Sequence, residues 1–103
     1  MTHQLYAEFK KLNPWPVEFE ESVQPRVEAY YQKHPAVAGV LEKVVSKLET
    51  FPPDGNYFKN PRPSLHDMRI WLTVSEGRLR FRLKVEYRLE LRTCFIVEFM
   101  AKA

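Results

Sequence analysis

The spacing of apolar residues changes once along the chain, from a helical period to a strand period. Residues 37–51 place apolar side chains at steps of three and four, which predicts an amphipathic helix. Residues 79–87, "LRFRLKVEY", alternate apolar and charged side chains, which predicts a strand with one buried and one solvated face. The change falls near Leu65, so the pattern predicts helices first and strands afterwards.

The first half of the chain predicts a helical hairpin. The segment "LYAEF" fits either a short strand or a helical turn, and Val17–Phe19 is predicted as a short strand. "ESVQPRVEAYYQKHP" is predicted as a helix with Ser22 as its N-cap, Pro25 in its first turn and Pro35 beyond its end. A second helix follows at once, with an apolar stripe formed by Val37, Val40, Leu41, Val44, Val45, Leu48 and Phe51.

The second half predicts a three-strand meander. "PPDGNYFKNPRP" is rich in proline and is expected to be a loop. "DMRIWLTV", "RLRFRLKVEY" and "CFIVEFM" are predicted strands, and the apolar run of the last suggests a central position. Turns are expected at Glu76-Gly77 and near Arg88 to Glu90. The fold class is therefore α+β: an N-terminal helical hairpin packed on a small, mainly antiparallel sheet with a C-terminal three-strand meander.

Composition limits the classes of protein to which the chain can belong. A length of 103 residues suits one domain, and 45% apolar residues indicate a globular protein. No apolar run is long enough to span a bilayer, and "MTHQLYAEFKK" lacks the features of a signal peptide, so we expect a cytoplasmic protein without a membrane partner. The single cysteine, Cys94, fits a reducing compartment. His3, His34 and His66 lie far apart, so no metal site and no cofactor are expected.

Charge is divided unevenly between the two halves. Residues 1–58 hold six Lys/Arg and eight Asp/Glu, whereas residues 59–103 hold ten and five. Arg78, Arg80, Arg82 and Lys84, here called the basic row, share one strand parity at steps of about 7 Å. Such a row is either the solvated side of an ordinary strand or a surface that follows a phosphate backbone. Because parity keeps the cations together, and Trp71 could stack on bases, we favour nucleic-acid binding.

Several segments resemble the RelE/ParE superfamily of bacterial type II toxins. "VEFEESVQPRVEAYYQKHP" is similar to the first strand and the start of the helical hairpin, and "VLEKVVSKLETFP" to the second helix and its loop. "LHDMRI" and "RFRLKVE" are similar to two arginine-bearing strands, and "FIVEFMAK" to the closing strand in a HigB-like pattern. The likeness covers residues 17–103 of a single domain, 1–103, and leaves residues 1–16 as an N-terminal extension.

The resemblance implies a metal-independent endoribonuclease that cuts messenger RNA at the ribosome and is held by a cognate acidic antitoxin. Matching positions imply catalytic roles for Arg69, Arg80 or Arg82, and Lys102, with the 2′-hydroxyl of the RNA as nucleophile. Tyr87 is a positional candidate for a general base or stacking group. The expected RNA-binding residues are Lys59, Arg62, Trp71, Arg78 and Lys84. The alternatives are a non-catalytic nucleic-acid binder, a ParE-like protein binder, or an orphan domain of this fold without activity.

Overall fold

The computed structural model describes residues 2–64 and 68–101, which form three helices and five strands. In chain order they are α1 Thr2–Lys11, β1 Val17–Phe19, α2 Gln24–Lys33, α3 Val37–Leu48, β2 Lys59–Ser64, β3 Arg69–Glu76, β4 Leu79–Arg88 and β5 Thr93–Ala101. The strands form one sheet in the order β1-β5-β4-β3-β2. β1 runs parallel to β5, and the other neighbours are antiparallel. The predicted α+β class and the meander are confirmed.

The helical hairpin begins and ends close to its predicted positions. Pro25 lies in the first turn of α2, where its missing N–H costs no helical hydrogen bond. The N-cap is Val23, which makes no side-chain cap, so the prediction of Ser22 as N-cap is wrong. The hydroxyl of Ser22 instead lies 3.5 Å from Glu20 Oε1. Four members of the predicted stripe of α3 are buried: Val37, Val40, Val44 and Leu48.

The central strands separate their two faces as the alternation predicts. Every second residue of β4 is buried, and these residues are Leu79, Phe81, Leu83, Val85 and Tyr87. Gly77 permits the tight turn before β4, because its φ of +60° is a conformation that glycine adopts without strain. The next turn occupies residues 89–92, slightly later than predicted. β5 is central, as expected, because it lies between β1 and β4.

One segment differs from the sequence prediction, and in a second the structure decides between two predicted alternatives. Residues 59–63, predicted as part of a loop, belong to the edge strand β2, Lys59–Ser64, which pairs with β3. Proline cannot donate a hydrogen bond to a neighbouring strand, but an edge strand tolerates it because one side of the strand has no neighbour. "LYAEF" is helical and belongs to α1. Among the described residues, no helix is long and apolar enough to cross a membrane.

The segment before β1 contributes to the core rather than standing apart as an extension. Phe9 and Trp15 are 4% and 1% exposed, and their rings stack with centroids 5.4 Å apart. The indole N–H of Trp15 donates a hydrogen bond of 2.8 Å to the carbonyl of Phe9. Asn13 donates to the carbonyl of Phe51 at 3.1 Å and accepts from its N–H at 2.8 Å. These bonds join the N-terminal segment to the chain that follows α3.

Candidate nucleic-acid interface

The sheet has a covered face and an open face. The apolar residues of α3, together with Phe9 of α1, belong to one core cluster with the buried residues of β3, β4 and β5. The alternate residues of β3 and β4 are exposed or half-buried and form what is here called the open face. Its described members on these two strands are Arg69, Trp71, Thr73, Ser75, Arg80, Arg82, Lys84, Glu86 and Arg88.

Trp71 organises the cations in the middle of the open face. It is paired with Lys84 across the two strands, and the Lys84 Nζ lies 5.3 Å from the centroid of its ring. The guanidinium carbon of Arg82 lies 4.8 Å from the same centroid. Both distances allow a favourable cation–π interaction. Trp71 therefore holds two cations in place, and the planar guanidinium of Arg82 is the group that it presents for stacking.

One end of the open face is neutralised by ion pairs. Glu86 accepts hydrogen bonds from the Nε of Arg69 at 2.8 Å and from the Nε of Arg88 at 2.5 Å. Arg88 also lies 3.6 Å from Glu20. Partial burial alone would raise the pKa of Glu86, but the bonds from Arg88 and Arg69 outweigh it and hold the pKa below its usual value. The charged side chains at this end of the open face therefore neutralise one another.

The other end, near the turn between β3 and β4, keeps its positive charge. Neither Arg80 nor Arg82 has a carboxylate partner among the residues that the structure describes. Lys84 shares its charge with Glu98 at 3.3 Å. Arg80 is exposed and Arg82 is half-exposed, so both guanidinium groups can reach a ligand. The excess of positive charge on the open face is thus concentrated at two neighbouring positions of β4.

Two hydroxyl residues that the sequence analysis did not single out lie beside these arginines. Ser75 is paired with Arg80 and Thr73 with Arg82 across the strands. Hydroxyl groups commonly donate to phosphate oxygens next to cationic side chains. The turn at Gly77 is a signal in the sequence that could have identified Ser75 and Thr73. Counting outward from the Glu76–Leu79 pair at this turn places them opposite Arg80 and Arg82.

The remaining residues of the predicted RNA-binding set fall in different places. Arg78 precedes β4 and lies in the turn, where it lines a cleft on the helix side, so it does not belong to the open face. Lys59 and Arg62 lie in β2, with backbones paired to Thr73 and Trp71. Lys102 lies outside the described residues.

Tyr87 does not have the position of a general base or stacking group. It lies on the covered face with 2% of its surface exposed, and its hydroxyl donates a hydrogen bond of 2.6 Å to the carbonyl of Leu48. Burial raises the pKa of Tyr87 far above its usual value. Its role is structural, because it satisfies a buried carbonyl at the end of α3.

The aromatic residues of the loop before β2 are also structural. Phe58 is fully buried, and the rings of Tyr57 and Phe58 meet edge to face at 5.0 Å. The Tyr57 hydroxyl donates to Glu76 at 3.1 Å, and burial together with this carboxylate raises the pKa of Tyr57 to about 12. Both residues hold the loop against the fold.

The chemistry available on the open face is electrostatic. No group of three histidine, cysteine or acidic side chains suited to a metal ion occurs in the described part of the chain. The thiol of Cys94 is buried in the core, and burial raises its pKa to about 12, which keeps it protonated and unreactive. The arrangement can hold an anionic polymer by charge, hydrogen bonding and stacking. Comparison of the chain with family models, curated proteins and solved structures finds no match.

Proposed function

We propose that the open face of the sheet binds single-stranded RNA. The observation that carries this proposal is the pair Arg80 and Arg82, which occupy successive outward positions of β4 without a carboxylate partner among the described residues. Outward positions of a strand are about 7 Å apart, which is close to the phosphate spacing of an extended nucleic acid strand. Two cations at this spacing can each hold one phosphate.

A single strand fits this face better than a duplex does. The sheet surface offers a guanidinium plane held by Trp71 and the hydroxyls of Thr73 and Ser75 on the adjacent strand. An unpaired base can stack on such a plane, whereas the bases of a duplex already stack on one another. The choice of RNA over DNA rests on the resemblance of the sequence to RelE and HigB toxins.

Fluorescence anisotropy with a labelled single-stranded RNA and a duplex of the same sequence tests the proposal. We expect the single strand to bind more tightly, with an affinity that falls as salt rises. Arg80→Ala and Arg82→Ala should weaken binding, while Lys10→Ala should not, because Lys10 is an exposed cation of α1, the helix whose Phe9 packs on the covered face. Equal weakening by all three variants would show that only net charge matters and would overturn the assignment of the open face.

Cleavage of the bound RNA, in the manner of a RelE/HigB-like toxin, is the second candidate function. It is supported by the order of elements from β1 through the helical hairpin to the meander, which is the order on which the resemblance was based. It is also supported by Arg80 and Arg82, which make no ion pair with a described residue and can hold the charge that develops on a phosphate attacked by the neighbouring 2′-hydroxyl. With Tyr87 in the core, catalysis would depend on positioning and electrostatic stabilisation by arginines, with Arg69 beside the row.

Controlled expression in bacteria tests this second function. The toxin hypothesis expects growth arrest by the intact chain, cleavage of messenger RNA on translating ribosomes without added metal, and relief of both by Arg82→Ala. A co-expressed acidic antitoxin would be drawn to the same arginines and should restore growth. If the chain binds RNA but neither arrests growth nor cleaves it, the open face belongs to a non-catalytic binding protein.

A further inference from the structure

A second cationic site lies where the helical hairpin meets the turn between β3 and β4. The cleft has a volume of about 720 Å³, and its polar lining includes Lys33, His34, Lys43, Glu76 and Arg78. We call it the hairpin-tip cleft. Its volume falls within the range that holds a nucleotide-sized ligand. Four of these five side chains can donate hydrogen bonds to an anion.

The internal ion pair of the cleft leaves a positive excess. Glu76 accepts from Lys43 at 2.6 Å and from the Tyr57 hydroxyl at 3.1 Å. The hydrogen bond from Lys43 lowers the pKa of Glu76, so this carboxylate stays ionised and Lys43 is largely neutralised. Lys33 and Arg78 are exposed and have no acidic partner among the described residues. These two side chains are therefore available to a ligand.

The first turn of α3 forms part of the cleft wall. Gly39 lines the cleft, and a Cβ atom added to it would meet no heavy atom within 4 Å. At Gly39 the wall of the cleft therefore consists of backbone that no other group covers. The N–H groups of Val37 and Ala38 already donate to the carbonyls of His34 and Pro35, so the attraction of this cleft for an anion comes from the charges of Lys33 and Arg78.

The cleft lies at the end of the line of cations on β4. Arg78, in the turn, comes two residues before Arg80 and lines the cleft on the helix side of the sheet. A strand that follows Lys84, Arg82 and Arg80 reaches the turn and meets the cleft once it has passed around the turn to the helix side. The end of an RNA strand can lie inside a concave site. An internal phosphodiester could bind there only if the strand entered the site and left it again.

We propose that the hairpin-tip cleft binds the terminal phosphate monoester of an RNA strand that lies on the open face. A monoester carries a charge of about −1.5 to −2 at neutral pH, against −1 for an internal phosphodiester, and so matches a site with two cations that pair with no described carboxylate. Arg78 and Lys33 hold the phosphate oxygens, and the first turn of α3 faces the same group. This inference rests on the proposed function for the position of the strand.

The test compares three versions of one 2′-O-methyl RNA of about eight nucleotides, a length within the range of single-strand sites. They carry a 5′-phosphate, a 3′-phosphate or no terminal phosphate, and the methyl groups prevent cleavage by the 2′-hydroxyl. We expect one phosphorylated form to bind about tenfold more tightly than the unphosphorylated form. Which form gains affinity identifies the end of the strand that enters the cleft.

Three variants locate the gain within the cleft. Arg78→Glu and Lys33→Glu should abolish the gain, and Gly39→Leu should do so without a change of charge, because its side chain projects into the open cleft. For each variant the gain is the ratio of the affinities for the phosphorylated and the unphosphorylated RNA, so that a general loss of binding caused by the changed charge is not counted as loss of the gain. Lys10→Glu, on an exposed residue of α1, is the matched charge control and should keep the gain. A gain that persists in Gly39→Leu and Arg78→Glu would overturn the proposal.

A second measurement separates this inference from the proposed function. Adenosine 5′- and 3′-monophosphate, titrated into the labelled protein, should shift the amide resonances of Gly39 and Arg78 in NMR spectra. If the RNAs do not bind but a mononucleotide shifts these resonances, the open-face function fails and the phosphate site stands. If the RNAs bind equally well and neither mononucleotide shifts these resonances, the open-face function stands and the cleft proposal is overturned.

Discussion

Replacement of Arg82 by alanine is the sharpest perturbation of the open face. Arg82 lies between Arg80 and Lys84 on β4, and its guanidinium covers the ring of Trp71. Its neighbours along the strand, Phe81 and Leu83, point into the core and make no use of the guanidinium. The substitution therefore removes one cation and one stacking plane while the buried side of the strand stays intact.

The expected magnitude follows from counterion release. For single strands the logarithm of the binding constant falls with the logarithm of the salt concentration by about 0.7 per neutralised phosphate. Three β4 cations, each facing one phosphate, predict a slope of about −2.1, which Arg82→Ala should reduce to about −1.4. At about 0.1 M salt the loss corresponds to about fivefold in affinity, or ~1 kcal/mol. Lys84→Ala should lose less, because Lys84 already shares its charge with Glu98.

The assay is an anisotropy titration of an unphosphorylated single-stranded RNA at salt concentrations from about 50 to about 200 mM. Lys10→Ala, on the exposed side of α1, is the control, and its slope should equal that of wild type. Thermal unfolding should show that Arg82→Ala loses no more than about 1 kcal/mol, the value of an exposed cation–π contact. An unchanged salt slope in folded Arg82→Ala would refute the reasoning, because it would mean that no phosphate lies at this position.

Three further substitutions test the structural assignments. Tyr87→Phe leaves the buried carbonyl of Leu48 without its donor and should cost about 1–3 kcal/mol in urea unfolding, with RNA binding unchanged; a loss of binding at full stability would restore Tyr87 to the site. Phe9→Ala removes a core ring that stacks on Trp15 and should cost about 3–5 kcal/mol; a change below about 1 kcal/mol would mean that the N-terminal segment is dispensable. The lowered pKa of Glu86 stabilises the fold at pH values above the ordinary pKa of 4.5, and this stabilisation is lost as the pH falls through the lower pKa of the folded state. Glu86→Gln should therefore flatten the acid side of the profile of stability against pH. An identical profile would exclude this ion pair as a contributor.

Local periodicity determined which residues of the strands are buried. Alternation in β4 placed Tyr87 with Leu79 and Phe81, on the side that the structure shows to be buried. The suggestion that Tyr87 acts on RNA came from the resemblance, and it conflicted with the parity of its own strand. Side-chain direction in a strand repeats every two residues, so the burial pattern of β4 can be predicted without knowledge of its partners.

Two elements were harder to predict because their sequences carry a weak local signal. Pro61 and Pro63 made residues 59–64 typical of a loop, and only pairing with β3 makes them an edge strand. The start of the chain was ambiguous because "LYAEF" is short, and its identity as part of α1 depends on Phe9 packing against Trp15 and Phe51. In both cases the neighbour in space decided the structure.

The sequence by itself determined the two faces of the sheet, the helical hairpin and the concentration of arginine in the second half of the chain. Only the tertiary structure decided which arginines are available. Arg69 and Arg88 are taken up by Glu86, Arg82 rests on Trp71, and Arg78 leaves the strand at the turn to join Lys33 in the hairpin-tip cleft. The physical reason is range: side-chain direction is a property of the local backbone, whereas an ion pair or a cleft depends on the register and packing of elements that are distant in sequence.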